Sequence, residues 1–180
     1  MITTAQSVAA NAEEQREESF LSLIEEHKSM VYGLAWNSFQ DAALAEEIAQ
    51  DVFLELHKHL ERLEGANHIK NWLRKVTVNR CIDHSRRRKL RPNLGLDDVP
   101  EPAAAAPDSD PLLEARLRRM VASLPEKLRT VVILRYQEDL SLEEIGAVLG
   151  LPAQTVKSRL QRSLEMLRAK LEPGALGRER

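Results

Sequence analysis

The sequence predicts an all-α protein made of two small helical domains joined by a flexible linker. Apolar residues recur at three- and four-residue spacing through residues 19–90 and again through 112–171. No stretch sustains the period-two alternation of a half-buried strand. Between the two helical stretches, residues 91–111 hold Pro92, Pro100, Pro102, Pro107 and Pro111, a run of alanines and a set of acids. Proline denies the backbone its helical hydrogen bonds and the acids repel one another, so this segment reads as an extended linker. At ~3.3 Å per residue it spans about 70 Å, or about two turns of B-DNA.

Each element has a local reason. Residues 1–18 are small, polar and acidic, and are expected to form a disordered tail. From Phe20 the residues Leu23, Ile24, His27, Met30, Val31 and Leu34 fall on one helical face. Asp41 suits the N-cap of a second helix that buries Leu44, Ile48, Val52, Leu56 and Leu60. Glu64-Gly65-Ala66-Asn67 reads as a turn. A third helix follows with Ile69, Trp72, Leu73, Val76, Cys81 and Ile82 inward, and it runs out into Ser85-Arg86-Arg87-Arg88-Lys89.

Past the linker, Leu112–Ser123 is helical and Leu124-Pro125-Glu126 opens a helix through about Tyr136. Ser141-Leu142-Glu143-Glu144 has the spacing of a capping box, in which serine accepts the third helical amide and glutamate reaches back to the serine amide. Gly150 suits the left-handed position that ends the short helix, and Pro152 suits the start of the last one. Gly146 permits a close helix crossing, although glycine there weakens the short helix by about 0.5–1 kcal/mol relative to alanine. Leu164, Leu167 and Leu171 continue the inward face. Residues 172–180 are a tail.

Composition bounds the function. The 180 residues are 43% hydrophobic and 30% charged, enough for a core and too apolar for wholesale disorder. Aromatics, at 4%, leave few platforms for stacking single-stranded bases. No apolar run is long enough to cross a membrane, and the acidic N-terminus is not a signal peptide. Cys81 is the only cysteine, so an internal disulfide is excluded and a reducing cytoplasm is the expected setting. No metal, cofactor or catalytic residue is expected. The five histidines are scattered, His57 and His59 point to different helix faces, and Cys81 reads as a small buried hydrophobe.

The net charge of −2 hides segments of opposite sign. Residues 1–67 carry 4 basic and 13 acidic groups, residues 68–91 carry 9 and 1, residues 92–111 carry 0 and 5, and residues 112–171 carry 11 and 7. Such a chain offers one surface to a polyanion and another to a basic protein. Ordinary solvated faces are the bland alternative.

Two constellations favour the polyanion. The segment 141–168 has the pattern of a helix-turn-helix: a capped short helix, a glycine turn and a second helix. The outer face of that second helix carries Gln154, Thr155, Lys157, Ser158, Gln161 and Arg162, flanked by Arg159. These are donors and acceptors suited to base edges and phosphates in a major groove. Earlier, the run from Trp72 to His84 presents Arg74, Lys75, Asn79 and Arg80, cations for phosphate beside an amide able to read a base, ahead of a basic run that includes Arg86 and Arg87. Trp72 itself is read mainly as core.

With these residues in view, the chain resembles bacterial RNA polymerase sigma factors of the extracytoplasmic-function (ECF) group. The resemblance rests on Asp41-Ala42 with Glu46-Glu47-Ile48-Ala49-Gln50-Asp51-Val52-Phe53, on Trp72-Leu73 with Val78-Asn79-Arg80-Cys81-Ile82-Asp83, on Ser123–Arg129, and on Leu140–Gly146 with Thr155–Leu160. It covers about residues 18–171 in the family's order. It implies that 19–90 is sigma region 2, for polymerase docking and −10 recognition and melting, and that 112–171 is region 4, for −35 recognition.

The resemblance also implies roles for particular residues. Glu47, Gln50, Asp51 and Glu55 would dock on the clamp coiled coil of the polymerase's largest subunit, the bland alternative being acids that solvate one helix face. Arg74, Lys75, Asn79 and Arg80 would capture the −10 element, with Arg86 and Arg87 beside them. Asn67 and His68, in the loop Glu64–His68, would line the pocket for a flipped base. Gln154, Thr155, Lys157, Ser158, Arg159, Gln161 and Arg162 would read the −35 element. The implied partners are core RNA polymerase, through clamp and flap, promoter DNA and an anti-sigma factor. The middle domain and N-terminal inhibitory segment of larger sigma factors are not expected. Ser85 and Gly146 depart from the family's usual apolar residue and alanine.

An operator-binding helix-turn-helix regulator is the nearest alternative, because its reading helix would look the same. It leaves the block around Asn79 and the acidic helix before it without a role. A helical adaptor that never meets DNA is the third reading.

Overall fold

The structure, a computed structural model, describes residues 4–90 and 111–171. Within them the regular elements are helical: α1 Thr4–Phe39, α2 Ala42–His59, α3 Ala66–Leu90, α4 Pro111–Ala122, α5 Glu126–Tyr136, α6 Leu142–Leu149 and α7 Ala153–Leu171, with a 3-10 turn at Leu60–Arg62. The expected linker over 91–110 and tail over 172–180 lie outside the described residues.

The first correction concerns the N-terminus. The tail expected over 1–18 is helical from Thr4 and continuous with the helix expected near Phe20. Alanine, glutamate and glutamine dominate residues 5–18, and they rank among the best helix formers, so an established helix propagates through them easily. The helix ends at Gln40, whose φ of 57° turns the chain. Asp41 then caps α2, its carboxylate accepting the Leu44 amide at 3.0 Å, as its spacing predicted. Asn67, placed in a turn by the sequence reading, is instead in the first turn of α3.

Helices α1, α2 and α3 enclose a core of Val31, Ala35 and Trp36, then Ala45, Ile48, Val52 and Leu56, then Ile69, Leu73 and Cys81. Ile48, Val52, Leu56 and Leu73 are fully buried, each contributing about 1.5–3 kcal/mol of hydrophobic transfer free energy. A second cluster joins Leu124, Leu128, Val132 and Leu167 across α5 and α7. Ser163 is buried against it and its hydroxyl reaches the Leu128 carbonyl, 3.2 Å away on the neighbouring helix. Leu171, expected to face inward, is 49% exposed.

The third cluster was not anticipated. It packs Leu34 of α1 and Val78 of α3 against Val131, Ile133 and Leu134 of α5 and Ile145, Val148 and Val156 of the helix-turn-helix. The two modules therefore share a core. The cause is α5, where Val131, Val132, Ile133 and Leu134 are all buried. Four consecutive buried residues point to every side of that turn, so it is covered on every side, by both modules together. Among the described residues no helix is long and apolar enough to cross a membrane.

Candidate nucleic-acid interface

The helix-turn-helix is built by its caps. The Ser141 hydroxyl accepts the Glu144 amide at 3.2 Å and the Glu144 carboxylate accepts the Ser141 amide at 2.8 Å, so the capping box is complete. Hydrogen bonds from the Ser141 backbone and side chain hold the Glu144 carboxyl below the usual carboxylate range. Gly150 ends α6 at φ 65°, a left-handed conformation that glycine adopts without penalty. The Leu151 amide returns to the Gly146 carbonyl at 2.9 Å, and α7 begins one residue after Pro152.

This turn sets the reading face. Val156 is fully buried against α6, so Gln154, Lys157, Ser158, Gln161 and Arg162 are exposed, with Thr155 and Arg159 half-buried at its edges. Ser158 donates to the Gln154 carbonyl at 3.0 Å, and Gln161 donates to Glu165 at 3.2 Å. Both side chains keep acceptor capacity for a base edge or a bridging water. All seven predicted residues thus lie on the N-terminal half of one helix, the part that a helix-turn-helix presents to the major groove.

The α3 residues do not form one open face. His68, Lys75, Asn79, Arg86 and Arg87 are exposed, and so is Asn67. The Glu64 amide points at His68 Nδ1 across 3.4 Å, tying the loop before α3 to its first turns. Arg80 turns the other way. Its guanidinium donates to Glu55 at 2.6 Å and lies 3.7 Å from Asp51, and the Glu55 hydrogen bond raises its pKa above the ordinary value. Predicted polymerase-docking and DNA-contact residues are therefore paired with each other.

Arg74 is not available in this arrangement. It is 9% exposed, and its Nε donates to Glu138, on the turn after α5, at 2.9 Å. Glu138 was missed by the sequence reading, which gave no function to Gln137-Glu138-Asp139. Asn71, whose side-chain oxygen lies 3.4 Å from Arg74 Nη1, was missed as well.

Glu47 and Gln50 are exposed on α2, and Asp51 and Glu55 are half-exposed one turn on. Beside them runs a groove of about 710 Å³ between α1 and α2, floored by Phe20, Ile24, Tyr32, Phe53 and Leu54. Leu54, in that groove, is 62% exposed, so an apolar strip flanks the acids. A second cleft joins Leu117 of α4 to Tyr136 of α5, and both are exposed. Patches of this kind are suited to protein partners. The rings of His57 and His59 face different neighbours, Phe20 and Trp72.

Comparison with known proteins identifies two matching regions. Residues 23–91 match the family described as Sigma-70 region 2, and residues 114–167 match Sigma-70, region 4. The chain is 31% identical over 164 residues to the ECF RNA polymerase sigma factor RpoE of Cereibacter sphaeroides, covering 84% of this chain and 86% of the relative. It is 31% identical over 152 residues to the RNA polymerase sigma factor SigV of Bacillus subtilis, covering 84% and 90%, and 29% identical over 174 residues to the ECF sigma factor SigW of the same organism, covering 86% and 90%. Its fold is similar to that of the sigma factor RpoE solved with the anti-sigma factor NepR from Bartonella quintana, with TM-score 0.70 at 20% identity over 86% of this chain and 98% of that one. It is also similar to CnrH solved with the cytosolic domain of CnrY, with TM-score 0.65 at 22% identity over 93% and 96%.

Proposed function

The chain belongs to the ECF group of RNA polymerase sigma factors, and from that membership and the geometry we infer how its surfaces divide the work. As a sigma factor it is a non-catalytic subunit that gives core RNA polymerase its promoter specificity. We propose that the module of α1–α3 binds polymerase and the −10 element, and that the module of α4–α7 binds the −35 element. The observation that carries this is the placement of seven polar and basic residues on the exposed N-terminal half of α7, in a separate module from the cationic helix α3.

On α7, the exposure of Arg162, Lys157 and Gln161 supports their contact with base edges and phosphates of a major groove. Hydrogen bonds to base edges give sequence preference there, and phosphate contacts fix the register. On α3, Asn79 supplies the amide that reads a base, while Lys75, Arg86 and Arg87 neutralise backbone phosphate. His68 and Asn67 line the loop that would hold an extruded base. Extrusion costs a few kcal/mol of lost stacking, which contacts to the base and phosphates must offset for the duplex to stay open.

Glu47, Gln50, Asp51 and Glu55, with the apolar strip beside them, suit a basic, partly apolar helical surface such as the clamp coiled coil. The exposed Leu117 and Tyr136, which line one cleft, suit the flap. Both RpoE and CnrH were solved with anti-sigma partners, and a partner of that kind is proposed for this chain too, acting on it in the cytoplasm.

The deciding experiment is reconstitution with core polymerase on genomic DNA, followed by mapping of transcript starts. A shared pair of elements upstream of chain-dependent starts is the expected result. Equal starts with and without the chain would overturn the reading, as would specific promoter binding by the chain alone at ordinary salt.

A further inference from the structure

We propose that Glu165 is a positioning residue for −35 recognition: its carboxylate fixes the Gln161 amide so that the amide oxygen faces the groove and accepts from the amino group of adenine or cytosine. This rests on the assignment of α7 to the −35 element.

Gln161 and Glu165 stand one turn apart on the exposed face of α7. Gln161 Nε2 donates to the Glu165 carboxylate at 3.2 Å. A primary amide has a donor end and an acceptor end of nearly the same shape, so a glutamine held by nothing presents either one to a base. An ionised carboxylate only accepts. Turning the Gln161 amide over would set its oxygen against that carboxylate, exchanging a charge-assisted hydrogen bond for repulsion. Glu165 therefore selects one of the two orientations before DNA arrives. With Nε2 drawn toward the C-terminal side, the oxygen is left toward the half of the helix that a helix-turn-helix presents to the groove.

Ser158, three residues before Gln161, is constrained in the same sense. Its hydroxyl donates to the Gln154 carbonyl at 3.0 Å, so its oxygen keeps lone pairs for a ligand. Lys157 and Arg162, exposed on the same face, only donate. The reading face thus has acceptors at Ser158 and Gln161 among cationic donors.

The bases divide along the same line. In the major groove adenine N6 and cytosine N4 donate, whereas thymine O4 and guanine O6 accept. A Gln161 oxygen facing the groove is matched by an amino base and opposed by a keto base. Each base pair holds one of each, so Glu165 decides which strand of the pair must carry the amino base.

The test uses holoenzyme reconstituted from core polymerase and the full-length chain. The probe is a library of duplexes with the mapped −10 element and a randomised −35 region, and the readout is the enrichment of each base at each position. Gln161→Ala identifies the pair at issue as the one whose preference it erases. Glu165→Ala is expected to reduce the preference at that pair roughly threefold or more. Glu165→Lys, which offers the amide a donor instead of an acceptor, should turn Gln161 over and favour the keto base on the same strand. With Gln161→Ala already in place, neither substitution should change the base ratios there. On the best duplex, removing the amino group at that pair, with purine for adenine or 2-pyrimidinone for cytosine, should weaken wild-type binding and leave the Gln161→Ala variant unaffected.

The proposal is overturned if Gln161→Ala erases no base preference, if Glu165→Ala leaves that preference intact, if Glu165→Lys keeps the same base favoured, or if removing the amino group has no effect. A Glu165 that only stabilises the helix or repels phosphate would shift the affinity for all sequences together and leave the ratios alone. Failure of the −35 assignment is separable, since the wild type would then show no preference anywhere in the randomised region.

Discussion

A Cβ placed on Gly146 would stand 2.6 Å from the Leu151 carbonyl oxygen. Real side chains do not tolerate that distance, and the obstacle is backbone, which cannot rotate aside. On helix propensity alone, alanine at 146 should stabilise α6 by about 0.5–1 kcal/mol. The contact with the turn reverses the sign. Gly146→Ala is expected to destabilise the chain by about 1–3 kcal/mol, in the range of overpacked cores. A lowered denaturant midpoint at unchanged slope checks this, and an equal or higher midpoint contradicts it.

Arg162 and Lys157 are both exposed on α7, yet their removal should read differently. Arg162→Ala is expected to cost about 1–3 kcal/mol on a cognate −35 element and far less on scrambled sequence. Lys157→Ala should weaken binding evenly and reduce the salt slope by about one if it contacts phosphate. Titration of reconstituted polymerase on matched and scrambled templates at several salt concentrations separates the two.

Arg80, paired with Glu55 at 2.6 Å, is 38% exposed against 31% for its partner. At that exposure the pair is worth no more than about 1 kcal/mol. Glu55→Gln should therefore leave thermal stability nearly unchanged while reducing competition for core polymerase. A large drop in melting temperature with unaltered competition would assign Glu55 to folding instead.

Cys81 makes stability depend on alkaline pH. Burial pushes its thiol from 9.0 up to about 11, with Ser38 and Arg129 opposing and Glu126 adding. Because the folded state holds the proton longer than the unfolded one, the contribution is present below about pH 9 and is lost as pH rises toward about 11. The loss is on the order of 2 kcal/mol. The measurement is the difference in unfolding free energy between wild type and Cys81→Ala from pH 8 to 11. A constant difference would show that the thiol stays accessible to solvent.

Much of the fold was legible because its signals are local. Asp41, Ser141, Glu144 and Gly150 occupy the capping positions their spacing indicated, since a cap involves groups three or four residues apart. The polar face of α7 was legible for the same reason: burying Val156 leaves only one side for Lys157, Gln161 and Arg162. The helix over 4–18 was misread because charge and small size were weighed there, while helix propensity was not. The run Val131-Val132-Ile133-Leu134 did carry a signal of two-sided burial, but nothing in it names what covers the second side.

By itself, then, the sequence determined the helices from Phe20 onward, their caps, the charge segregation and the reading face of α7. Each follows from interactions within a turn or two of chain. Only the tertiary structure decided that α5 joins the two modules and that Arg74 meets Glu138, 64 residues away. The physical reason is that burial and ion pairing depend on which surfaces come together in space. A solvated arginine and a solvated glutamate look the same in sequence as the two halves of a buried pair.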